Sequence, residues 1–369
     1  MKLALSPLDT WFFRDSTPFD RDASPQAGVA GVFPPHPPTV TGAIRAALAL
    51  RNGWSGSGPW NGALQQALGA RVEDLGALRF TGPFVLRGNA PVFPTPLHVV
   101  GHAPEGGAWQ PVAMLRPGRS TLASDLGPAS RLPEVAPGFP TVSGRLEPGA
   151  RTWVTLDGLR QILTGALPDD DHLLPERELW TAEPRVGIER ETGSRTTKDK
   201  ALYSTRHARL RAGVGIGVSV EGVPEGWKTL VGSMLPLGGE SRLASCEPWE
   251  TAAPVDLGDG ARSGSCPLTL VALTPVLLSS GALWGKDPLS ASGARVVSAC
   301  VGAPLRIGGW DSLARRPFPL RNALAPGSTL FCEAGESDPL RRQVERGTLR
   351  LGDHTAAGFG LCAVGNGPE

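Results

Sequence analysis

Cysteine is scarce and unpatterned. Cys246, Cys266, Cys300, Cys332 and Cys362 lie far apart, form no CxxC pair and are odd in number, which argues against a disulfide framework and for reduced core residues. Lysine is scarcer still relative to arginine: 5 of the 36 basic residues are Lys and 31 are Arg. Arginine favours bidentate phosphate contacts and stacking on bases, although a GC-rich codon bias accounts for the excess equally well. There is one tyrosine, Tyr203. No apolar run approaches the roughly 18 residues that span a bilayer, and the KLALS that follows Met1 lacks a cleavage site. The expectation is a soluble, cytoplasmic protein without a membrane partner. Net charge is only +1, so the chain is no polycation, and any contact with nucleic acid has to be local.

The catalytic and cofactor signatures are missing too. No GxSxG, HExxH, phosphate-binding loop or dinucleotide fingerprint is present, because GVGIGVSV at 213 to 220 lacks the spacing and the following helix. His98 and His102 are four apart, but Gly101 and the surrounding prolines speak against a helix that would bring them together on a metal. His36 and His207 have the chemistry for general acid and base catalysis in a metal-independent ribonuclease. His36, however, is boxed in by four prolines, and His207 is surrounded by arginines. The expectation is therefore no catalytic residue, no metal and no cofactor.

What is present is a globular composition, 40% hydrophobic, over 369 residues, enough for two domains with a core each. Gly (48) and Pro (36) are abundant without period, which implies many turns and long connections. The stretch FPPHPPTVTGAIRAALALR, 33 to 51, organises the N-terminal half. Its prolines make a stiff loop, Thr39 or Thr41 can cap a helix, and Val40, Ile44, Ala47 and Leu48 recur at helical spacing, giving one apolar face to lie on a sheet. Gly42 in the first turn, with Arg45 one turn on, reads as a candidate anion site at a helix N-terminus.

The alternation Leu3 to Leu5 predicts a first strand. Trp11, Phe12 and Phe13 in a row cannot all face one core, which leaves a ring for another surface beside Arg14 and Asp15. That charged pair can equally well fix the turn. A basic run follows later: from Arg185 to Arg211 there are eight Arg or Lys against Glu189, Glu191 and Asp199, a net charge of about +5. With Arg195, Lys198, Lys200, Tyr203, Arg206 and His207 it suits phosphate contacts and base stacking on an exposed loop. Further on, strands are expected near 210 to 220, 268 to 278 and 294 to 301, with helices near Pro288 to Ser292 and from Pro339 to Arg346. Each half thus alternates strands with helices, as two copies of one α+β unit would. Glycine turns recur at Gly238–Gly239 before Arg242, at Gly308–Gly309 before Trp310, and at Gly358–Phe359–Gly360.

Taken in order, DTWFFRDSTPF (9 to 19), FPPHPPTVTGAIRAAL (33 to 48), RVGIERETGSRTTKDKALY (185 to 203), LPLGGESRLA (235 to 244), GGW with PFPLRNALAPGSTLF (308 to 331) and the closing AGFG cover nearly the whole chain. This series resembles the third subunit of Cmr-type, type III-B CRISPR effector complexes, in the RAMP superfamily. The resemblance implies an α+β fold of two ferredoxin-like, RRM-like domains with long loop insertions, at 1–168 and 211–369, joined by a basic insertion at 169–210. It further implies a non-catalytic subunit that holds the 5′ repeat-derived handle of the guide RNA and joins the large polymerase-like subunit to the backbone RAMP subunits. Carried onto this sequence, RNA contacts fall on Phe13, Arg14, Asp15, His36, Thr39, Thr41, Gly42, Arg45, Arg195, Lys198, Lys200, Tyr203, Arg206, Gly239, Arg242, Gly358, Phe359 and Gly360. A precursor-processing endoribonuclease of the same superfamily and a pure protein scaffold are the alternatives.

Overall fold

Lys2–Pro7 shows how the first sheet is built. Leu3 and Leu5 are fully buried while Ala4 and Ser6 are half exposed, the two-residue period of a strand with one face on a core. The computed structural model describes residues 1–15, 28–70, 73–104, 107–124, 127–140, 144–190, 193–194, 197–258, 268–278, 289, 294–311, 316–333 and 339–366. Its largest sheet runs in the order Leu173–Pro175, Thr152–Thr155, Ala90–Pro94, Arg79–Arg87, Val214–Glu221, Lys2–Pro7, Leu243–Pro248 and Ser233–Pro236, and every neighbouring pair is antiparallel. Strands assigned from sequence to the second domain, 214 to 248, are therefore hydrogen-bonded on both sides of Lys2–Pro7.

The helix Pro37–Arg51 lies on this sheet with Val40, Ile44 and Leu48 fully buried against Leu3, Leu5, Ile216 and Val218, so the expected apolar stripe is the one that packs. Each such aliphatic side chain contributes about 1.5–3 kcal/mol on burial. On the other face, the helix Leu156–Leu163 is capped by Thr155, whose Oγ1 accepts from the Gly158 N–H at 3.1 Å. Its Leu159, Ile162 and Leu163 join Phe84, Leu86 and Phe93 in a cluster that also takes in Val271, Leu273 and Ala363. That cluster ties the first sheet to a second, five-stranded one, ordered Arg295–Cys300, Thr329–Glu333, Leu268–Ala272, Leu361–Gly365 and Thr348–Arg350, again antiparallel throughout.

The protein is a mixed structure of mostly antiparallel sheets with few helices. Among the described residues the C-terminal half holds one helix, Pro339–Arg342, shorter than the Pro339 to Arg346 expected; the one expected near Pro288 to Ser292 lies outside the described residues. Cys246, Cys300, Cys332 and Cys362 are buried and form no disulfide with one another, and burial pushes the Cys300 and Cys362 thiols up to about 12. His98 is fully buried with Nδ1 2.9 Å from Thr329 Oγ1. Among the described residues no helix is long and apolar enough to cross a membrane.

The basic run is not a loop. It forms most of a long hairpin, Trp180–Arg190 with Thr197–Leu210, in register from Trp180 opposite Leu210 to Ile188 opposite Leu202, with Gly28–Val29 added in parallel beside Ser204 and Thr205. Cross-strand pairs share a face. One face carries Glu183, Arg185, Gly187, Tyr203, Thr205, His207 and Arg209; the other carries Ala182, Pro184, Val186, Ile188, Ser204 and Arg206.

Candidate nucleic-acid interface

The hairpin root is where separate stretches meet. After Pro7 the chain crosses to the hairpin, where Trp11 pairs with Ala208 through N–H···O bonds of 3.0 and 2.7 Å. Extended backbone turns Phe12 to the side opposite Trp11 and Phe13. No ring is left over, however: Trp11, Phe12 and Phe13 are 0%, 6% and 4% exposed, which corrects the expectation of a free aromatic shelf. Trp11 and Phe13 join the N-terminal core. Phe12 stacks on His207 at 5.1 Å and is roofed by the turn Gly238–Gly239, whose Gly239 N–H donates to the Phe12 carbonyl at 2.7 Å. A Cβ at Gly238 would come within 2.6 Å of that carbonyl oxygen, so the close approach requires glycine.

Past this roof, Glu240 and Ser241 both hold φ of +55°, while the Arg242 N–H returns to the Gly239 carbonyl at 3.3 Å. Positive φ at both central positions is the habit of a type I′ turn, which Asn and Gly adopt readily and Glu and Ser only under strain. The turn presents Glu240 and Ser241 to solvent.

Arg242 returns to an ionic cluster on the first hairpin face. Asp9 accepts from Arg185 (2.6 Å), Arg209 (2.9 Å) and Arg242 (3.3 Å), and Glu183 pairs with both Arg185 (2.8 Å) and Arg209. Hydrogen bonds from Arg185 and Arg209 hold the Asp9 carboxyl below its ordinary value, and Arg209, then Arg185, does the same for Glu183. Three guanidinium groups on two carboxylates leave a local excess of positive charge. Asp9, Arg185 and Arg209 were not singled out as contacts from sequence, although Asp9 opens the DTWFF motif; an acidic residue just before an aromatic run, with an arginine-rich run from 185 to 211 elsewhere, was the available signal.

The placements of the other expected residues divide. Arg14 is exposed and bridges to Gly31, and the Asp15 N–H donates to the Ala30 carbonyl at 3.2 Å. A Cβ on Gly31 would collide with the Arg206 carbonyl, which brings Arg14, Gly31 and Arg206 into one neighbourhood. Arg206 is exposed on the second hairpin face and Tyr203 is half-buried across Gly187. Lys198 and Lys200 lie on the strand Thr197–Leu210; Arg195 lies outside the described residues. His207 is 2% exposed with both ring nitrogens engaged, Nδ1 by Thr10 and Nε2 by Thr205, each at 3.0 Å, and burial, then the charges of Arg242 and Arg185, lower its proton affinity. It is a packed residue, closed off from solvent.

Three expectations are corrected at the opening helix. Its N-cap is His36, without a side-chain cap, and the first two positions are Pro37 and Pro38, so two of the N–H groups that would cradle an anion do not exist. The next, that of Thr39, donates to the His36 carbonyl at 3.0 Å. Thr41 is buried, and its hydroxyl donates to the Pro37 and Pro38 carbonyls at 3.0 and 3.2 Å instead of capping. Arg45, read from sequence as part of that anion site, is 5% exposed. Its guanidinium donates to the carbonyls of Leu68 (2.5 and 2.9 Å), Gly69 (3.4 Å) and Asp74 (2.9 Å) and lies 4.9 Å over the Trp60 ring, and burial pushes it down to about 10. Gly42 faces open space.

The closing AGFG is also inside. Gly358, Phe359 and Gly360 are buried, Phe359 packs with Leu277, Ile307 and Ala323, and a Cβ on Gly358 would collide with the Gly82 carbonyl. A side chain is excluded there by backbone, and a Cβ on Gly360 would collide with the Leu351 carbonyl; these glycines present no surface.

A family model for the CRISPR-associated protein Cas_Cmr3 matches residues 3–367. The chain belongs to the Cas_Cmr3 family. No curated protein matches it. Among solved structures, a chain of the type III-B Cmr-beta complex bound to cognate target RNA is similar at 17% identity, with 90% of this chain and 86% of that one covered and a TM-score of 0.53. The same complex with target RNA and AMPPnP gives 17% identity, the same coverage and a TM-score of 0.50. At this identity the likeness is one of fold.

Proposed function

We propose that the protein is the non-catalytic RNA-binding subunit of a cytoplasmic type III-B CRISPR ribonucleoprotein, holding the 5′ repeat-derived handle of the guide RNA and linking the large polymerase-like subunit to the backbone RAMP subunits. The observation that carries this reading is the convergence at the hairpin root. Stretches 9 to 15, 28 to 36, 183 to 188, 203 to 209 and 238 to 242, far apart in sequence, meet at the hairpin root, which carries an excess of arginine on its first face and Arg206 on its second. Family membership supports it, as does the likeness to Cmr-beta assemblies bound to target RNA. The fold is read as two ferredoxin-like units, and sheet membership favours a division after residue 248 over one at 168 to 211. Phosphate contacts at such a surface position a single strand without reading its sequence. No nuclease role is assigned, because His207 has both nitrogens engaged in the core.

The test is salt dependence. Each phosphate neutralised on a single strand contributes about −0.7 to the slope of log K against log salt, so replacing Lys198, Lys200 and Arg206 by Ala together flattens that slope by roughly two for handle-bearing RNA. A slope equal to that of the unmodified chain removes the hairpin from the RNA path.

A further inference from the structure

A groove runs along the second face of the hairpin root, away from the ionic cluster. It consists of two contiguous chambers of about 400 and 350 Å³ that share Arg151, Glu176, Trp180 and Ala182. The larger chamber lies behind the proline loop. Its walls are Phe33, Trp153 and Trp180, packed edge to face with ring centroids 4.7 and 5.2 Å apart, together with Pro34 and Pro326 across the gap. Such a chamber is lined mostly by apolar groups and lies within the size range of small-ligand pockets.

The rim has the opposite character. Arg206 lines the larger chamber, Arg177 the smaller and Arg151 both, and all three are exposed. Arg151 holds φ of +57°, a conformation that costs an arginine about 1 kcal/mol or more. Its carbonyl accepts from the Glu176 N–H at 2.8 Å while its side chain stays 85% exposed, so the strained backbone leaves the guanidinium at the groove. Glu176, half-buried and 3.7 Å from Arg151, and His36 are the polar groups facing the apolar walls. The groove is thus lined by three cations and one carboxylate.

We propose that this groove binds single-stranded RNA, with one base turned into the chamber behind the proline loop and the flanking phosphates on Arg151, Arg177 and Arg206. The proposal rests on the RNA-binding reading above and adds a site to it: none of Arg151, Trp153, Glu176, Arg177 or Trp180 was among the contacts expected from sequence. Apolar walls with a cationic rim match a nucleotide, whose flat base and charged phosphate differ in the same way. Glu176 can accept from an exocyclic amine, and His36 offers a ring nitrogen to a base edge.

The test uses the full chain and a short single-stranded RNA carrying one 4-thiouridine. Ala182→Trp fills the junction of the chambers at an exposed strand position that tolerates aromatics. Arg151→Gly removes a cation and relieves the positive φ. With thermal melts matching the parent, Ala182→Trp weakens binding about tenfold at unchanged salt slope, and Arg151→Gly lowers the slope by about 0.7. Crosslinks fall within residues 33 to 37 or 151 to 182. Crosslinks confined to residues 185 to 206, with both variants binding like the parent, overturn the groove and leave the RNA reading standing. Failure of the parent chain to bind RNA overturns both. Loss of a protein partner from the assembly in Ala182→Trp, with RNA binding intact, also overturns the groove, since its occupant is then protein.

Discussion

The helix Pro37–Arg51 and the hairpin root both set arginine beside glycine at a turn, yet their guanidinium groups end in different surroundings. Arg45 is enclosed, its N–H groups facing the carbonyls of Leu68, Gly69 and Asp74. At the root, Arg185, Arg209 and Arg242 share two carboxylates in water, and on the other hairpin face Arg151, Arg177 and Arg206 stand around an open groove. An arginine's role follows from where its donors already point. Carbonyls that cannot otherwise be satisfied make it part of the framework; exposure leaves it able to meet a phosphate.

The largest effect that separates the two regions is Arg45→Ala. Removing the guanidinium leaves buried carbonyls without a donor and uncovers Trp60, so stability falls by about 3 kcal/mol, read as a lower midpoint in denaturant. RNA affinity per folded molecule stays at the parent value. Arg45→Lys recovers little, because one ammonium cannot reach the carbonyls of three residues and stack on a ring. A parental midpoint for Arg45→Ala erases the contrast.

Gly358→Ala is the next test. At φ of +96°, with backbone in the way of any Cβ, the alanine form loses about 2 kcal/mol and RNA binding is retained by the folded fraction. Parental stability combined with lost RNA binding would return the closing turn to the RNA surface.

Local periodicity made the opening helix legible: Val40, Ile44 and Leu48 are the residues that pack. The strand Lys2–Pro7 was legible for the same reason. The hairpin was not: Ala182, Pro184, Val186 and Ile188 do alternate with Glu183, Arg185 and Gly187 along its first strand, but the charge of the run outweighed that signal, and the facing strand, with Ser204 and Arg206 beside Thr205 and His207, has no apolar alternation to read. The insertion of Val214–Glu221 between Arg79–Arg87 and Lys2–Pro7 is a pairing across more than half the chain, invisible to any local window. At the site, the convergence of Phe12, His207, Gly239 and Arg242 follows from that topology. Arg45 was read as part of an anion site because nothing local reveals that the carbonyls of Leu68, Gly69 and Asp74 take its donors.

Acid gives a smaller effect, confined to the root. The Asp9 and Glu183 carboxyls lie below their unfolded values, so their contribution is fully present above about pH 5 and is lost as pH falls through the depressed folded values. Exposed ion pairs of this kind contribute little to global stability. The readout is therefore local: amide hydrogen exchange at residues 181 to 187 and 204 to 209 quickens below pH 4 ahead of the core strands, and Asp9→Asn shows part of that quickening at neutral pH. Uniform exchange across hairpin and core at every pH means that the ions do not hold the root.

Gly42→Ala has the smallest expected effect and the sharpest sign. Glycine inside a helix costs about 0.5–1 kcal/mol relative to alanine, and a Cβ at position 42 meets nothing within 4 Å, so the alanine form is more stable by about that amount. Pro37 and Pro38 lack N–H groups and the Thr39 N–H already bonds to the His36 carbonyl, so the helix start has little left to offer a phosphate, and affinity for handle-bearing RNA stays unchanged. Two measurements on one variant, a denaturation midpoint and an RNA titration, decide it. A higher midpoint with weaker RNA binding would mean that the ligand approaches the helix at Gly42 after all, and the division between a framework helix and an RNA-facing hairpin would fail at this residue.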